Sequence, residues 1–176
     1  MPRHNFLFKA LLPLFTLLFF ATFYTRAASR YWVGGASASW AVTTSWSATS
    51  GGASGATVPT TTDDVIFDAS SGATITVSNI PTTTIHSLTV NGSNTVTLTS
   101  AVANQTLSLN IGAASNALVI SSGSTLILGS STATFTLSFI TTTTQKADIS
   151  GTLQVNTSNA FTTTTITTAS GVTVSS

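Results

Sequence analysis

The fold is decided by a threonine run that the chain repeats four times, as Thr60-Thr61-Thr62, Thr82-Thr83-Thr84, 141–144 and 162–165. The runs begin 22, 59 and 21 residues apart, and 59 is close to three periods of about 20. Repeats of this length are typical of solenoids, in which each repeat forms one coil and stacks on its neighbours. The spacing therefore predicts an all-β fold, a right-handed parallel β-helix (β-solenoid) with about 20–22 residues per coil.

Short stretches of alternating apolar and polar residues lie between the threonine runs. This period of two is typical of strands with one buried face. We predict strands at 73–77, 87–90, 95–99, 107–111, 118–120, 125–128, 135–139, 153–155 and 172–174. Clusters of Ser, Asn and Gly predict turns at 70–72, 91–93, 121–123 and 170–171. Alignment on the threonine runs gives six coils, which begin at Pro59, Pro81, Ala103, Ser124, Thr141 and Phe161.

The N-terminal segment 1–27 has the pattern of a secretory signal peptide. A basic start with Arg3 and Lys9 precedes an apolar segment at 10–23, and Thr25-Arg26-Ala27 places small residues at the cleavage positions. Cleavage after Ala27 predicts a protein that is secreted or held at the cell surface, and an uncleaved membrane anchor is the alternative. The predicted organisation is a signal peptide at 1–27, an aromatic and glycine-rich cap at 28–58, and solenoid repeats at 59–176.

Removal of the signal peptide reverses the sign of the net charge. The whole chain has a formal net charge of +1, but three of its five basic residues lie in the signal peptide. The mature chain keeps Arg30 and Lys146 against four aspartates, a net charge of −2. Because nucleic-acid binding depends on many basic contacts with phosphates, we exclude nucleic acid as a partner. No stable membrane span is predicted after cleavage, and without cysteine stability must come from the repeated strands.

All three tryptophans, Trp32, Trp40 and Trp46, lie near the start of the mature chain. The first coil of a solenoid has no preceding neighbour, so its apolar interior and its strand edge need a cover. Large aromatic side chains suit that task, and we interpret this segment as an N-terminal cap. Exposed tryptophans also stack on sugar rings, so Trp40 and Trp46 are the alternative candidates for a carbohydrate-binding platform.

Three of the four acids of the mature chain lie together, at Asp63, Asp64 and Asp68. Carboxylate oxygens are suitable ligands for Ca²⁺, so these residues are the candidate metal site, although their spacing matches no EF-hand or nonapeptide loop. The simpler interpretation is that they accept hydrogen bonds from local backbone amides. We predict no catalytic residue and no cofactor. His86, the only histidine of the mature chain, has no second imidazole or thiol with which to bind zinc.

A set of motifs near the start of the mature chain occurs in a fixed order: Tyr31-Trp32-Val33-Gly34-Gly35, Trp40, Trp46-Ser47, Gly51-Gly52, Val58-Pro59 and Asp63-Asp64-Val65-Ile66-Phe67-Asp68. In this order they resemble the opening of very large bacterial surface proteins with adhesin-like β-helical repeats, often exported by type IX secretion. With Ile75-Thr76-Val77 and 85–90, the later motifs also resemble the extracellular domain named for its eight glycines.

The resemblance spans about 31–90 and implies an adhesive role at the cell surface, with a surface glycan or a protein as ligand. Two features depart from the family pattern. Ala36-Ser37-Ala38-Ser39 replaces a segment that is usually richer in glycine and asparagine, and no C-terminal sorting domain is present.

The threonines suggest a second class of function. The segments 74–76 and 95–97 lie one predicted period apart, so the hydroxyls of Thr76 and Thr97 are predicted to stack as an ordered array of the kind that binds ice. We expect the next coil to break the array, because 118–120 stands in the expected place.

The last residues, 170–176, are typical of a strand in mid-coil that lacks a cap. Such an edge pairs readily with another chain, so we expect either a longer natural chain or edge-to-edge self-association at the C-terminal coil. The leading hypothesis is an exported, non-catalytic, structural and adhesive β-solenoid of the cell surface. The alternative is a fragment of a polysaccharide-binding or polysaccharide-active β-helix.

Overall fold

Apolar side chains that point inward alternate with Thr and Ser that point outward along most strands, and this pattern builds the molecule. The computed structural model describes residues 27–111, 116–129, 133–140, 145–156, 160–162 and 166–168. The strands within these residues are β1 (Ala28–Trp32), β2 (Ser37–Ser39), β3 (Trp46–Ser47), β4 (Asp63–Phe67), β5 (Thr74–Ser78), β6 (Thr83–Ile85), β7 (Ser87–Val90), β8 (Thr95–Leu98), β9 (Gln105–Leu109), β10 (Asn116–Ile120), β11 (Thr125–Leu128), β12 (Phe135–Phe139), β13 (Lys146–Ile149), β14 (Thr152–Val155), β15 (Ala160–Thr162) and β16 (Ile166–Thr168).

The strands form three sheets, which we call A, B and C. The strand order is β16-β13-β10-β7-β4-β1-β3 in sheet A, β14-β11-β8-β5-β2 in sheet B and β15-β12-β9-β6 in sheet C. From β4 onward the chain visits sheets A, B and C in turn, and we call one such round a coil. The pairings between these described strands are parallel except that of β1 with β3. This all-β architecture with parallel sheets is compatible with a β-helix or solenoid, as the sequence predicts.

The middle coils are longer than the predicted period. Leu88 pairs with Leu118, and Leu118 with Ala147, which gives sequence offsets of 30 and 29. The pairs β8–β11 and β9–β12 also keep an offset of 30. Among the described strands, β5 and β8 are the one pair whose offset, 21, lies in the predicted range. The interval of 59 between two threonine runs therefore holds two coils, and the prediction of three was wrong.

The extra residues lie in the corners between strands. Four residues connect β5 to β6, whereas six connect β8 to β9, and one residue connects β6 to β7, whereas six connect β9 to β10. The predicted coil boundaries at Ala103 and Ser124 are therefore wrong. Ala103 lies in the corner before β9, and Ser124 lies immediately before β11, in the middle of a coil.

Each threonine run precedes a strand of sheet A in the sequence. Thr60-Thr61-Thr62 come directly before β4, whereas Thr83 and Thr84 lie in β6 of sheet C, separated from β7 by two residues, and the runs at 141–144 and 162–165 precede β13 and β16. The residues before β10, at 112–115, contain no threonine. The missing run explains why sequence spacing alone gave the wrong number of coils. Residues 141–144 and 163–165 themselves lie outside the described part of the chain.

The core consists of inward side chains stacked in register from coil to coil. Val65, Leu88 and Leu118 lie above one another in sheet A, and Ile75, Val96 and Leu126 do so in sheet B. All six are fully buried. Burial stabilises each such side chain by about 1.5–3 kcal/mol. Since each side chain is covered by the coils above and below it, no coil completes this burial alone.

The tryptophans lie at the open end of the first coil, where the sequence predicts an N-terminal cap. β3 turns back antiparallel along the outer edge of β1. Trp46 then lies between Trp32 and Trp40, with ring centroids 5.2 and 4.9 Å away and edge-to-face geometry. Both Trp32 and Trp46 also contact Phe67 of the first full coil. The predicted cap is itself part of the sheets, because β1 and β2 pair in parallel with β4 and β5.

Three of the predicted turns connect sheet A to sheet B. The segments 70–72, 91–93 and 121–123 precede β5, β8 and β11, which confirms these turns. Gly92 has a φ of 86°, and a Cβ atom there would lie only 2.3 Å from the backbone nitrogen of Ala69 in the preceding coil. Glycine is therefore required at this corner both by the backbone dihedral and by the close approach of two coils.

Several predicted features lie outside the described residues: most of the signal peptide, the turn at 170–171 and the strand at 172–174. Within the part of the chain that is described, no helix is long and apolar enough to cross a membrane.

Candidate functional site

The charged side chains and the histidine among the described residues lie on sheet A or on the corners beside it. They are Arg30 on β1, Asp63 and Asp64 on β4, Asp68 after β4, His86 before β7, and Lys146 and Asp148 on β13. Sheets B and C, with the described corners that connect them, carry no charged side chain. In the described part of the chain, the charged side chains therefore lie on one face, and the faces formed by sheets B and C are uncharged.

Asp63 is buried in an ion pair at the start of the first full coil. Its carboxylate lies 3.3 Å from the guanidinium of Arg30 and accepts hydrogen bonds from the backbone nitrogen and the hydroxyl of Thr60, at 2.7 and 2.8 Å. Arg30 also donates to the backbone oxygen of Thr57. These bonds satisfy the buried carboxylate and hold the loop before β4 against β1.

Asp64 faces outward and binds the two residues that begin the next coil. Its Oδ1 atom lies 2.7 Å from Nδ1 of His86 and accepts a hydrogen bond from the hydroxyl of Ser87. The imidazole of His86 is thus held by a carboxylate of the preceding coil. Because Ser87 donates to the aspartate, its hydroxyl is not positioned to give its proton to the imidazole, as a nucleophilic serine would.

Asp68 caps the turn that leads from sheet A to sheet B. Its Oδ1 atom accepts hydrogen bonds from the backbone nitrogen and the hydroxyl of Ser70, at 2.9 and 2.5 Å, while Ser71 donates from its hydroxyl group and accepts from the Asp68 nitrogen. Burial raises the pKa of Asp68, but hydrogen bonds from Ser50, Ser70 and Ser71 outweigh it, so that the pKa lies below its ordinary value of 3.8.

The structure does not bring the three predicted calcium ligands together. Neighbouring residues of a strand point to opposite faces, so Asp63 points into the molecule while Asp64 faces solvent. Asp68 turns back onto its own corner. Nowhere in the described residues do three His, Cys, Asp or Glu side chains form a group that could hold a metal ion. Asp63 and Asp68 accept local backbone hydrogen bonds, as the simpler interpretation predicts.

Trp40 and Trp46 do not form the carbohydrate-binding platform that was the alternative interpretation of these residues. Both indole rings are fully buried, so neither offers a face to a sugar. Nε1 of Trp46 donates to the backbone oxygen of Trp40 at 2.8 Å, which fixes the ring inside the cap. The two rings are buried because the antiparallel pairing of β3 with β1 places them over the first coil.

Sheet B carries registered rows of threonine on its outer face. One row runs through four coils, with Thr74, Thr95, Thr125 and Thr152 in direct register. A second row begins with Thr76 and Thr97 and continues with Ile127 and Gln154. The next coil breaks the row of Thr76 and Thr97, as predicted, but it does so at Ile127. The segment 118–120, which was expected at that place, lies in sheet A.

A groove lies on the outer surface where the strands of sheet B end. Its volume is about 410 Å³, and its walls include Ser78, Asn79, Thr97, Thr99 and Asn156, with Gly129 among them. The residues come from four successive coils. A smaller hollow of about 190 Å³ adjoins it at Asn79 and continues to Gln105 on sheet C.

Sequence reasoning did not find this groove. Its residues are ordinary serines, threonines and asparagines in a chain rich in all three. Their meeting depends on the long-range register that places Gly129 beside Thr99, which follows from the pairing of Leu98 with Leu128. The positive φ of Asn79, 56°, marks the corner where the groove begins, but no local pattern in the sequence indicates it.

No protein-family model, curated protein or solved structure matches this chain.

We expect Asp68→Ala to lower the free energy of unfolding by about 1 kcal/mol at pH 7, because it removes the cap of a turn. The lowered pKa means that the carboxylate stabilises the fold above pH 3.8 and that this contribution is lost as the pH falls through the folded-state value. Urea unfolding followed by circular dichroism should therefore show a difference from wild type that shrinks below pH 3.8.

Asp148→Ala is the matched control, because Asp148 lies on the outer face of β13 and, among the described residues, only Ser150 donates to its side chain, at 3.4 Å. An equal loss in that variant would contradict the capping role. A gain in wild-type stability on adding Ca²⁺ that Asp68→Ala abolishes would show instead that the carboxylate binds a metal.

Proposed function

We propose that this chain is an exported, non-catalytic β-solenoid that has a structural and adhesive role at the cell surface. The coils then wind as a right-handed parallel β-helix, because parallel strands in one sheet are connected with this hand in nearly all proteins. The segment 1–27 is proposed to be the signal peptide that directs export. The ligand is a surface glycan or another surface protein.

The observation that carries the proposal is the chemistry of sheets B and C. Their outer faces present rows of small uncharged hydroxyl and amide groups, such as Thr95 with Thr125 and Ser108 with Ser138. Each group offers one or two hydrogen bonds, and each such bond contributes little by itself. A surface that repeats the same weak contact from coil to coil gains strength from multiple attachment, which suits adhesion better than the tight binding of one small molecule.

The arrangement of the polar residues on sheet A supports a non-catalytic role. His86 and Ser87 share one oxygen of Asp64, and Asp63 is buried against Arg30. These contacts join β4 to its neighbouring coils. The resemblance of 31–90 to the opening of adhesin-like surface proteins supports the same role.

Export and adhesion are tested together in the organism that makes the protein. We expect the chain on the cell surface or in the medium, without residues 1–27, and we expect deletion of its gene to reduce attachment of cells to surfaces and to each other. Fractionation, N-terminal sequencing and an attachment assay measure these outcomes. Purified protein should release no reducing sugar from polysaccharides. A cytoplasmic chain, unchanged attachment after deletion, or polysaccharide hydrolysis would each contradict the proposal.

A second candidate function, ice binding, is favoured by the threonine row of sheet B. Thr74, Thr95, Thr125 and Thr152 repeat at the strand spacing of about 4.7–4.9 Å in direct register. Hydroxyls held at such regular intervals on a rigid face can order water in a lattice. The second row weakens this candidate, because Ile127 replaces threonine in the third coil.

If sheet B binds ice, the purified protein will show thermal hysteresis, and Thr95→Tyr will abolish it by placing a bulky ring within the row. Thr136→Tyr, on the outer face of sheet C, is the control and should leave the hysteresis unchanged. Absence of hysteresis in the wild-type protein at millimolar concentration, or equal loss in both variants, would reject this candidate.

A further inference from the structure

The corner that leads from sheet A to sheet B in the second full coil contains a chemically reactive pair, Asn91-Gly92. It is the one place in the sequence where glycine follows asparagine. The side-chain carbonyl carbon of an asparagine is open to attack by the backbone nitrogen of the next residue. The attack is fastest when that residue is glycine, because glycine has no Cβ atom to crowd the nitrogen.

The fold requires the glycine of this pair but not the asparagine. A Cβ atom at position 92 would lie 2.3 Å from the backbone nitrogen of Ala69, and the φ of Gly92 is 86°, so glycine is the residue that fits there. Position 91 is filled by a different residue in other coils. The residues that the pairing of sheet A places one above another at this corner are Asp68, Asn91, Ser121 and Ser150.

The two groups that would react are free of hydrogen bonds in the described part of the chain. The backbone nitrogen of Asn91 donates to the oxygen of Phe67 at 2.8 Å, which fixes the start of the corner. No described residue accepts a hydrogen bond from the Gly92 nitrogen or binds the side-chain amide of Asn91. Gly92 is exposed and Asn91 is half-buried, so water has access to the pair.

Asn79, just after β5, is the opposite case. It also lies in an exposed corner, but the nitrogen of the next residue, Ile80, donates to the oxygen of Thr99 at 3.2 Å. The side-chain amide of Asn79 donates to the hydroxyl of Ser39 at 3.3 Å, and the side chain of Ile80 is branched next to its backbone. The reacting groups are therefore engaged and crowded, which makes Asn79 an internal control.

We propose that Asn91-Gly92 is a site of spontaneous modification, at which the folded chain converts the asparagine to aspartate and isoaspartate. The Gly92 nitrogen loses its proton and attacks Cγ of Asn91. The new C–N bond closes a succinimide ring, and Nδ2 leaves with a proton as ammonia. Water then adds to one of the ring carbonyl carbons. Breaking the bond from nitrogen to Cγ leaves aspartate, and breaking the bond from nitrogen to the backbone carbon leaves isoaspartate.

The two products have different effects on the corner. Aspartate at position 91 repeats the residue of the preceding coil, where Asp68 accepts a hydrogen bond from the backbone nitrogen of Ser70. It adds a negative charge beside Asp68, at the small cost of like charges on adjacent strands. Isoaspartate lengthens the backbone by one carbon atom where Gly92 lies close against Ala69, so it disturbs the packing of the two coils.

The test is incubation of the folded chain at neutral pH and physiological temperature, followed by chymotryptic digestion and mass spectrometry. We expect the peptide with residue 91 to gain the mass difference between an amide and a carboxylic acid, while Asn79 keeps its amide. Hydroxylamine, which cleaves succinimides, should cut the chain after residue 91. An isoaspartate methyltransferase should label the aged chain.

Asn91→Ser, which introduces the residue of the next two coils, should abolish both the cut and the label. Asn79→Gly is the matched control and should change neither, since glycine suits the φ of 56° at that position. Asn91→Asp supplies the aspartate product directly. We expect its urea midpoint to lie close to that of freshly purified wild type, whereas the chain that carries isoaspartate has a lower midpoint.

Three results would overturn the inference: an amide at position 91 that survives in the folded chain and reacts only in urea, equal modification of Asn79, or a cut and label that Asn91→Ser leaves unchanged. The first result would show that the folded corner keeps the Gly92 nitrogen away from Cγ of Asn91. None of these measurements depends on whether the protein is adhesive.

Discussion

Parallel pairing of each coil with the next is the interaction on which the rest of the structure depends. It places equivalent residues about 4.8 Å apart, so that one row of side chains is either entirely inside or entirely outside. Inside, Val65, Leu88 and Leu118 form a continuous apolar stack. Outside, the same register aligns the hydroxyls of Thr95 and Thr125.

The first coil requires a different solution, because none of the described residues forms a coil before it. There the antiparallel strand β3 pairs with β1, and three buried tryptophans cover the interior. The ion pair between Arg30 and Asp63 lies at the same end of the molecule, where it ties β1 to the first full coil. The charged side chains of the described residues lie on or beside sheet A, while the described parts of sheets B and C, which carry the proposed adhesive surface, have none.

Strand positions could be predicted because an apolar period of two is a local signal: the segments at 87–90, 125–128 and 135–139 agree with β7, β11 and β12. Coil length could not be predicted, because the corners between strands vary in length without changing the strands. In addition, the residues before β10 contain no threonine run. The sequence shows the aspartates and the tryptophans as clusters but not where their side chains point. The alternation of strand residues decides this for Asp63 and Asp64, and the antiparallel pairing of β3 decides it for the tryptophans. The groove around Gly129 depends on long-range register and has no local signal at all.

The register between coils is tested most directly by disulfide formation, since the chain has no cysteine of its own. Thr97 and Ile127 are register partners on the outer face of sheet B, and Cα atoms of adjacent strands lie within disulfide distance. We predict that Thr97→Cys with Ile127→Cys oxidises rapidly to an intramolecular cross-link, seen by mass spectrometry. Rapid cross-linking of Thr97→Cys with Val119→Cys instead, the pairing that the shorter predicted period requires, would contradict the observed register and the coil length that follows from it.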